Sequence, residues 1–128
     1  MIRLPLFPVV FAVTLAFASS GARAEDDVAL GKTLTTHSCA VCHTFGQGEP
    51  NGQGPNLFGI VGRPLASEPG FRYSAGMKAA AADKVWDDKL LDQWLTDTQT
   101  VAPGNAMTYF EGDEARRRKI IAYLRTLH

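Results

Sequence analysis

The chain has 128 residues, 45% of them hydrophobic and 20% charged, with 13 basic residues balanced by 13 acidic ones. Those proportions exclude a fibrous or disordered protein and fit one small globular domain. They also argue against nucleic-acid binding, which needs clustered cations, because the densest basic run, Arg116-Arg117-Arg118-Lys119, reads as the solvated face of a helix.

The first residues, "MIRLPLFPVVFAVTLAFASSGARA", combine Arg3, an apolar run from Leu4 to about Ala18, and small residues ending in Ala22-Arg23-Ala24. This is the pattern of a secretory signal peptide over residues 1–24, cleaved after Ala24. The rival is an uncleaved membrane anchor, but the run is shorter than the about 18 to 20 apolar residues a span needs, and Pro5 and Pro8 interrupt it. Cleavage removes Arg3 and Arg23 and leaves residues 25–128 slightly acidic, with 11 basic and 13 acidic side chains. A domain this small gains from an apolar cofactor in its interior.

Along the mature chain, "EDDVALGKTLTTHSC" carries Val28, Leu30 and Leu34 and predicts a short helix entered at Asp26 or Asp27, delivering Cys39 to the domain. From Phe45 to Pro69 the chain is rich in Gly, Pro, Asn and Gln, which predicts a series of turns ordered by something they wrap. "SAGMKAAAAD" predicts one or two helical turns. "DDKLLDQWLTDT" places Leu90, Leu91, Trp94 and Leu95 at helical spacing behind a cap at Asp87 or Asp88. Pro103 and Gly104 stop any helix in "VAPGNAMTYF", and "GDEARRRKIIAYLRTLH" gives the clearest helix, with Ile120, Ile121, Leu124 and Leu127 on one side. No run alternates with period two, so the fold class is all-α with long ordered loops.

The only cysteines stand in "HSCAVCHTF", as Cys39 and Cys42 with His43 next. Three chemistries use such a spacing. A thioredoxin-like dithiol expects a βαβ framework, which the pattern lacks. A structural zinc site needs four ligands, whereas the chain offers two cysteines, three histidines and no second Cys-x-x-Cys. Covalent haem needs what is present: two thiols spaced to form thioethers to the vinyl groups of neighbouring pyrroles, and an imidazole held beneath the iron. An exported chain suits it, because haem is attached outside the bacterial cytoplasm.

The other face of the iron decides the function. An open face permits ligand binding or peroxidase chemistry, whereas a second strong ligand leaves electron exchange. Met1 leaves with the signal peptide, so the candidates are Met77, in an alanine-rich helix where methionine is usually a core filler, and Met107, in the stiff loop "PGNAM". His37 is tethered to the His43 side, and His128 is the chain end. Met107 is the better placed, and its thioether predicts a high-potential carrier.

With these motifs the sequence resembles the class I cytochromes c, in the mitochondrial-like group that includes soluble periplasmic carriers of bacteria. Beyond "CAVCH" and "PGNAM", the resemblance is carried by "GPNLFGIVGR", "FRYSAGMKAA", Trp86 and "IAYL", with Pro55 12 residues after His43 and Trp86 21 before Met107. It implies the small cytochrome c fold, with four to five helices around one haem c bound through Cys39 and Cys42 and ligated by His43 and Met107. It implies that the Pro55 carbonyl orients His43, that Arg63, Tyr73 and Trp86 hold a haem propionate, that Asn56 orders its loop, and that Gly31 lets the first helix cross the last against Ile121, Tyr123 or Leu124. The chain departs from the pattern at Thr35, where relatives often have an aromatic, and at Trp94, where a tyrosine is common. Ser38, Ala106, Asp113 and Glu114 leave the haem rim without the lysines of relatives that dock on acidic oxidases. The expected protein is a monomeric periplasmic electron carrier, not an enzyme, with no membrane span after cleavage. Its expected partners are a dehydrogenase, a cytochrome bc complex or a terminal oxidase. The alternative is a dedicated subunit of one periplasmic dehydrogenase.

Overall fold

A computed structural model describes residues 20–128. The signal-peptide reading covers residues 1–24, of which 1–19 lie outside them. Among the described residues there are five helices: α1 (Ser20–Cys39), α2 (Ala75–Ala80), α3 (Asp88–Thr96), α4 (Thr98–Val101) and α5 (Glu114–Leu124). Among the described residues extended pairing is limited to two isolated antiparallel bridges, Pro64 with Val85 and Asp97 with Phe110. The all-α expectation holds. No helix among the described residues is long and apolar enough to cross a membrane.

Capping sets the starts of the central helices. Ser74, Asp87 and Asp113 accept hydrogen bonds from the backbone N–H groups of Met77, Leu90 and Ala115, each satisfying a donor that the first turn leaves unpaired, worth about 1 kcal/mol. Helix α1 starts earlier than the acidic pair suggests, running back through Ala24 and Ala22 to Ser20 although Gly21 is a weak helix former. Helix α4, a single turn capped by Asp97, was not legible beside Pro103 and Gly104.

The dominant packing is α1 on α5, with α3 against both α4 and α5. Gly31 makes the α1–α5 crossing possible: a Cβ there would fall inside the van der Waals shell of the Lys119 carbonyl and against Tyr123 Cβ. The partner backbone is thus Lys119, with Tyr123 beside it. Thr35, on the same helix, is fully buried. Ile120, Ile121 and Leu124 of α5 join Leu91 and Leu95 of α3 and Ile60, Leu65, Met77, Trp86 and Ala102 in one core.

The basic run on α5 corrects one expectation. Arg117 is buried and reaches across to α3, where its Nε donates to Asp92 Oδ1 at 2.7 Å. Its neighbours face solvent but are paired, Arg116 with Glu111 at 2.7 Å and Arg118 with Glu114 at 3.3 Å. Within the run, Arg117 fastens α5 to α3 and Arg116 ties it to Glu111, while Arg118 pairs inside the helix and Lys119 makes no ion pair among the described residues.

Candidate functional site

The turn-rich segment after Cys42 is ordered by its own polar groups. Asn56, almost fully buried, receives the Phe58 N–H on Oδ1 at 2.8 Å and donates from Nδ2 to Thr44 Oγ1 at 2.8 Å and Gly46 O at 3.0 Å. Asn51 Oδ1 in turn accepts the Asn56 N–H at 2.8 Å. The expected ordering role of Asn56 is visible in these bonds. Further on, the segment is stitched to the residues before α3, with Gly62 N–H donating to Trp86 O at 2.8 Å and Trp86 N–H to Arg63 O at 2.9 Å.

These connections enclose a cavity of about 500 Å³. All eight residues singled out from the sequence line it: Cys39, Cys42, His43, Pro55, Arg63, Tyr73, Trp86 and Met107. Met77 lines it too, as do Trp94, Leu57, Ile60, Leu91, Leu95, Ile120 and Leu124, so most of the wall is apolar.

At one end, the turn closing α1 carries the two thiols and the imidazole. The His43 N–H bonds to Cys39 O at 2.9 Å. His43 Nδ1 and the Pro55 carbonyl are 2.7 Å apart, and because a carbonyl only accepts, Nδ1 carries the proton and Nε2 keeps its lone pair. Burial pushes the imidazole below its usual range, partly offset by that carbonyl. Gly54 cradles the ring: any Cβ there would collide with the imidazole, so the flat side of His43 rests against bare backbone. Sequence reasoning missed Gly54, although its place before Pro55 in "GPN" was the available signal.

The Cys39 thiol does not suit redox exchange. Burial first, and then the neighbouring Cys42, pushes the Cys39 thiol up to about 11, opposite to the lowering an attacking dithiol needs. Among the described residues no three His, Cys, Asp or Glu side chains converge as a metal site. The dithiol and zinc readings thus lack their chemistry.

Met107 is held by a backbone clamp that its own sequence does not announce. Its N–H donates to Asn105 Oδ1 at 2.8 Å, and its carbonyl accepts from Thr98 Oγ1 at 2.7 Å and Gln99 Nε2 at 3.1 Å. Asn105, buried, donates from Nδ2 to Ala102 O at 2.8 Å and Thr98 O at 3.2 Å. Thr98 and Gln99 belong to α4, so the unforeseen helical turn is the clamp. The far end of the loop returns to α1, where Tyr109 lies near Ser38 and Cys39. Trp86 and Trp94 meet edge to face, ring centroids 5.4 Å apart, on the cavity wall.

The remaining wall is polar. Arg63 donates from Nη2 to Asn56 O at 2.8 Å and from Nη1 to Phe58 O at 3.3 Å, and pairs with Glu68. Its Nε is buried with no partner among the described residues. Tyr73 lies beside it, its phenol pushed up by burial and so a hydrogen-bond donor at neutral pH. An unpaired buried N–H costs about 1–3 kcal/mol, which a carboxylate in the cavity would relieve. Two thiols, an imidazole with its lone pair available, a thioether, an apolar slot and an orphaned guanidinium donor fit a haem carrying acidic side chains.

The comparisons with known proteins agree with this chemistry. The family model "Cytochrome c" matches residues 28–128. A cytochrome c-550 from Novispirillum itersonii is 40% identical, the match spanning 79% of this chain and 98% of that one. A cytochrome c2 from Rhodopila globiformis is 38% identical over 84% of this chain and 99% of the relative. Among solved structures, cytochrome cH from Methylobacterium extorquens superposes with a TM-score of 0.70 at 35% identity, covering 78% of this chain and 98% of its own.

Proposed function

The chain belongs to the cytochrome c family, class I, and is an electron carrier with covalently bound haem c; from that premise we propose that it works in the bacterial periplasm with His43 and Met107 as the two iron ligands. When bound, the haem supplies a reversible one-electron couple. Cys39 and Cys42 are its thioether tethers. His43, its proton fixed on Nδ1 by Pro55, offers Nε2 to the metal. Met107 offers its sulfur from a loop whose backbone is pinned on both sides by Thr98, Gln99 and Asn105.

The observation that carries this reading is the pinning of both residues on one cavity with the two thiols. Groups held by surrounding hydrogen bonds stay in place when charge changes, so little of the chain has to rearrange as an electron moves. Arg63, Tyr73 and Trp86 hold a propionate in the same cavity, Arg63 with its unpartnered Nε.

The carrier exchanges electrons between a donor dehydrogenase or membrane complex and an acceptor oxidase or reductase. It docks through the rim where the end of α1 meets the Met107 loop. Val41 and Phe110 are 80% and 72% exposed there, and Arg116, nearby in sequence, has its charge answered by Glu111. That rim is weakly charged, unlike a lysine ring.

Redox titration of the holoprotein with visible spectroscopy tests the reading. A single high-potential couple, a far-red ferric band of sulfur–iron ligation and no carbon monoxide binding at neutral pH are expected. Ready carbon monoxide binding and no such band would reject the carrier reading in favour of a gas-binding or peroxidase haem.

A further inference from the structure

We infer that Glu68 is a built-in counter-anion of the redox centre, offsetting the charge of Arg63 and so holding the reduction potential below the value the same site would have without it. The inference rests on the reading that Arg63 faces a haem propionate.

Glu68 does not meet Arg63 by chance of an exposed loop. Both side chains are largely buried, at 16% and 15% exposure, and form an ion pair. The turn that presents Glu68 is tied at several points. Ser67 Oγ donates to Pro64 O at 2.6 Å, the Phe71 N–H to Glu68 O at 3.3 Å, and Asn51 Nδ2 to Pro69 O at 3.0 Å. The Glu68 N–H donates to Tyr73 Oη at 3.1 Å. Its entry, Ala66, sits at φ 54°, in the left-handed region that costs a non-glycine residue about 1–2 kcal/mol. A strained turn persists where its surroundings over-determine it, and these bonds do so. Glu68 thereby engages both polar side chains of this wall, accepting from Arg63 with its carboxylate and donating to Tyr73 Oη with its backbone N–H.

The charge count gives the consequence. One guanidinium facing one propionate would sum to zero. With Glu68 attached to the other side of the same guanidinium, the group sums to one negative charge. The ferric centre carries one more positive charge than the ferrous centre, so a net anion in a poorly solvated wall favours the oxidised state and lowers the potential. Glu68 is a positioning residue, touching neither iron nor partner.

The test is potentiometric titration of the holoprotein for wild type, Glu68→Gln, Glu68→Asp, Arg63→Gln and the Glu68→Gln/Arg63→Gln pair. Glu68→Gln keeps the shape and the backbone bond to Tyr73, so a merely structural role leaves the potential still. The expected result is an upward shift for Glu68→Gln, a return towards wild type for Glu68→Asp, and a downward shift for Arg63→Gln, which leaves two negative charges unanswered, with the double variant between the two single ones. An unmoved or lowered potential in Glu68→Gln, or a raised one in Arg63→Gln, overturns the inference. The ferric spectra of the same samples report separately on Met107, so failure of the ligand assignment is read apart from failure of the Glu68 effect.

Discussion

His43 is fixed from two directions, by the Pro55 carbonyl on Nδ1 and by the bare backbone of Gly54 against its ring. Met107 is fixed through its backbone instead. Replacing Met107 with Ala is expected to leave the haem attached, open the iron to carbon monoxide and lower the reduction potential. An unchanged potential would transfer the role to Met77, which lines the same cavity. Replacing both Cys39 and Cys42 with Ser is expected to abolish haem staining of the denatured chain on a gel, since an imidazole and a thioether alone do not survive denaturation. Staining that persists would reject the thioether tethers.

At the scale of elements, the α1–α5 crossing has no room to give. Gly31→Ala places a methyl group against the Lys119 carbonyl. Alanine gains about 1 kcal/mol of helix propensity over glycine, whereas overpacking a close crossing costs about 1–3 kcal/mol. Net destabilisation is expected, seen as a lower urea midpoint with an unaltered slope. A raised midpoint would show that the helices separate without penalty. Helix α5 has a second attachment in the Arg117–Asp92 pair and a third in Arg125, whose Nε donates to Asp88 Oδ1 at 2.8 Å. Two of these use charges that a helix-wheel reading assigns to solvent.

For the whole molecule, the charge distribution sets how it meets partners. Three of the four cations of α5 are spent on Glu111, Asp92 and Glu114, and the apolar Val41 and Phe110 stand exposed. Long-range steering between screened or paired charges is small beyond a Debye length of about 10 Å at 0.1 M salt. Stopped-flow electron transfer with its physiological partner is therefore expected to change by no more than a few-fold as salt rises. A steep fall would mean that a charged patch steers docking after all.

Much of this was legible in the sequence because covalent attachment is a local matter. Cys39, Cys42 and His43 are neighbours in the chain, so their spacing, with no βαβ pattern and no second Cys-x-x-Cys beside it, points to haem c, and the periodicity of Leu91, Leu95, Ile120, Ile121 and Leu124 marks the helices that form the apolar wall. Pro55, Arg63, Tyr73, Trp86 and Met107 could be assigned through the family resemblance, and the structure brings all of them to one cavity. Other features depend on what the fold brings together. The clamp on Met107 needs α4, a four-residue turn too short to carry a periodic signal. The burial of Arg117 depends on α3 lying opposite, and the close fit at Gly54 on the position of the His43 ring. The pairing of Glu68 with Arg63 arises from a turn whose one strained residue is an ordinary alanine. The sequence by itself determined the cofactor and the helical class, since both follow from short-range spacing. Only the tertiary structure decided how the ligands are held and which charges are left over, because those depend on groups brought together from distant parts of the chain.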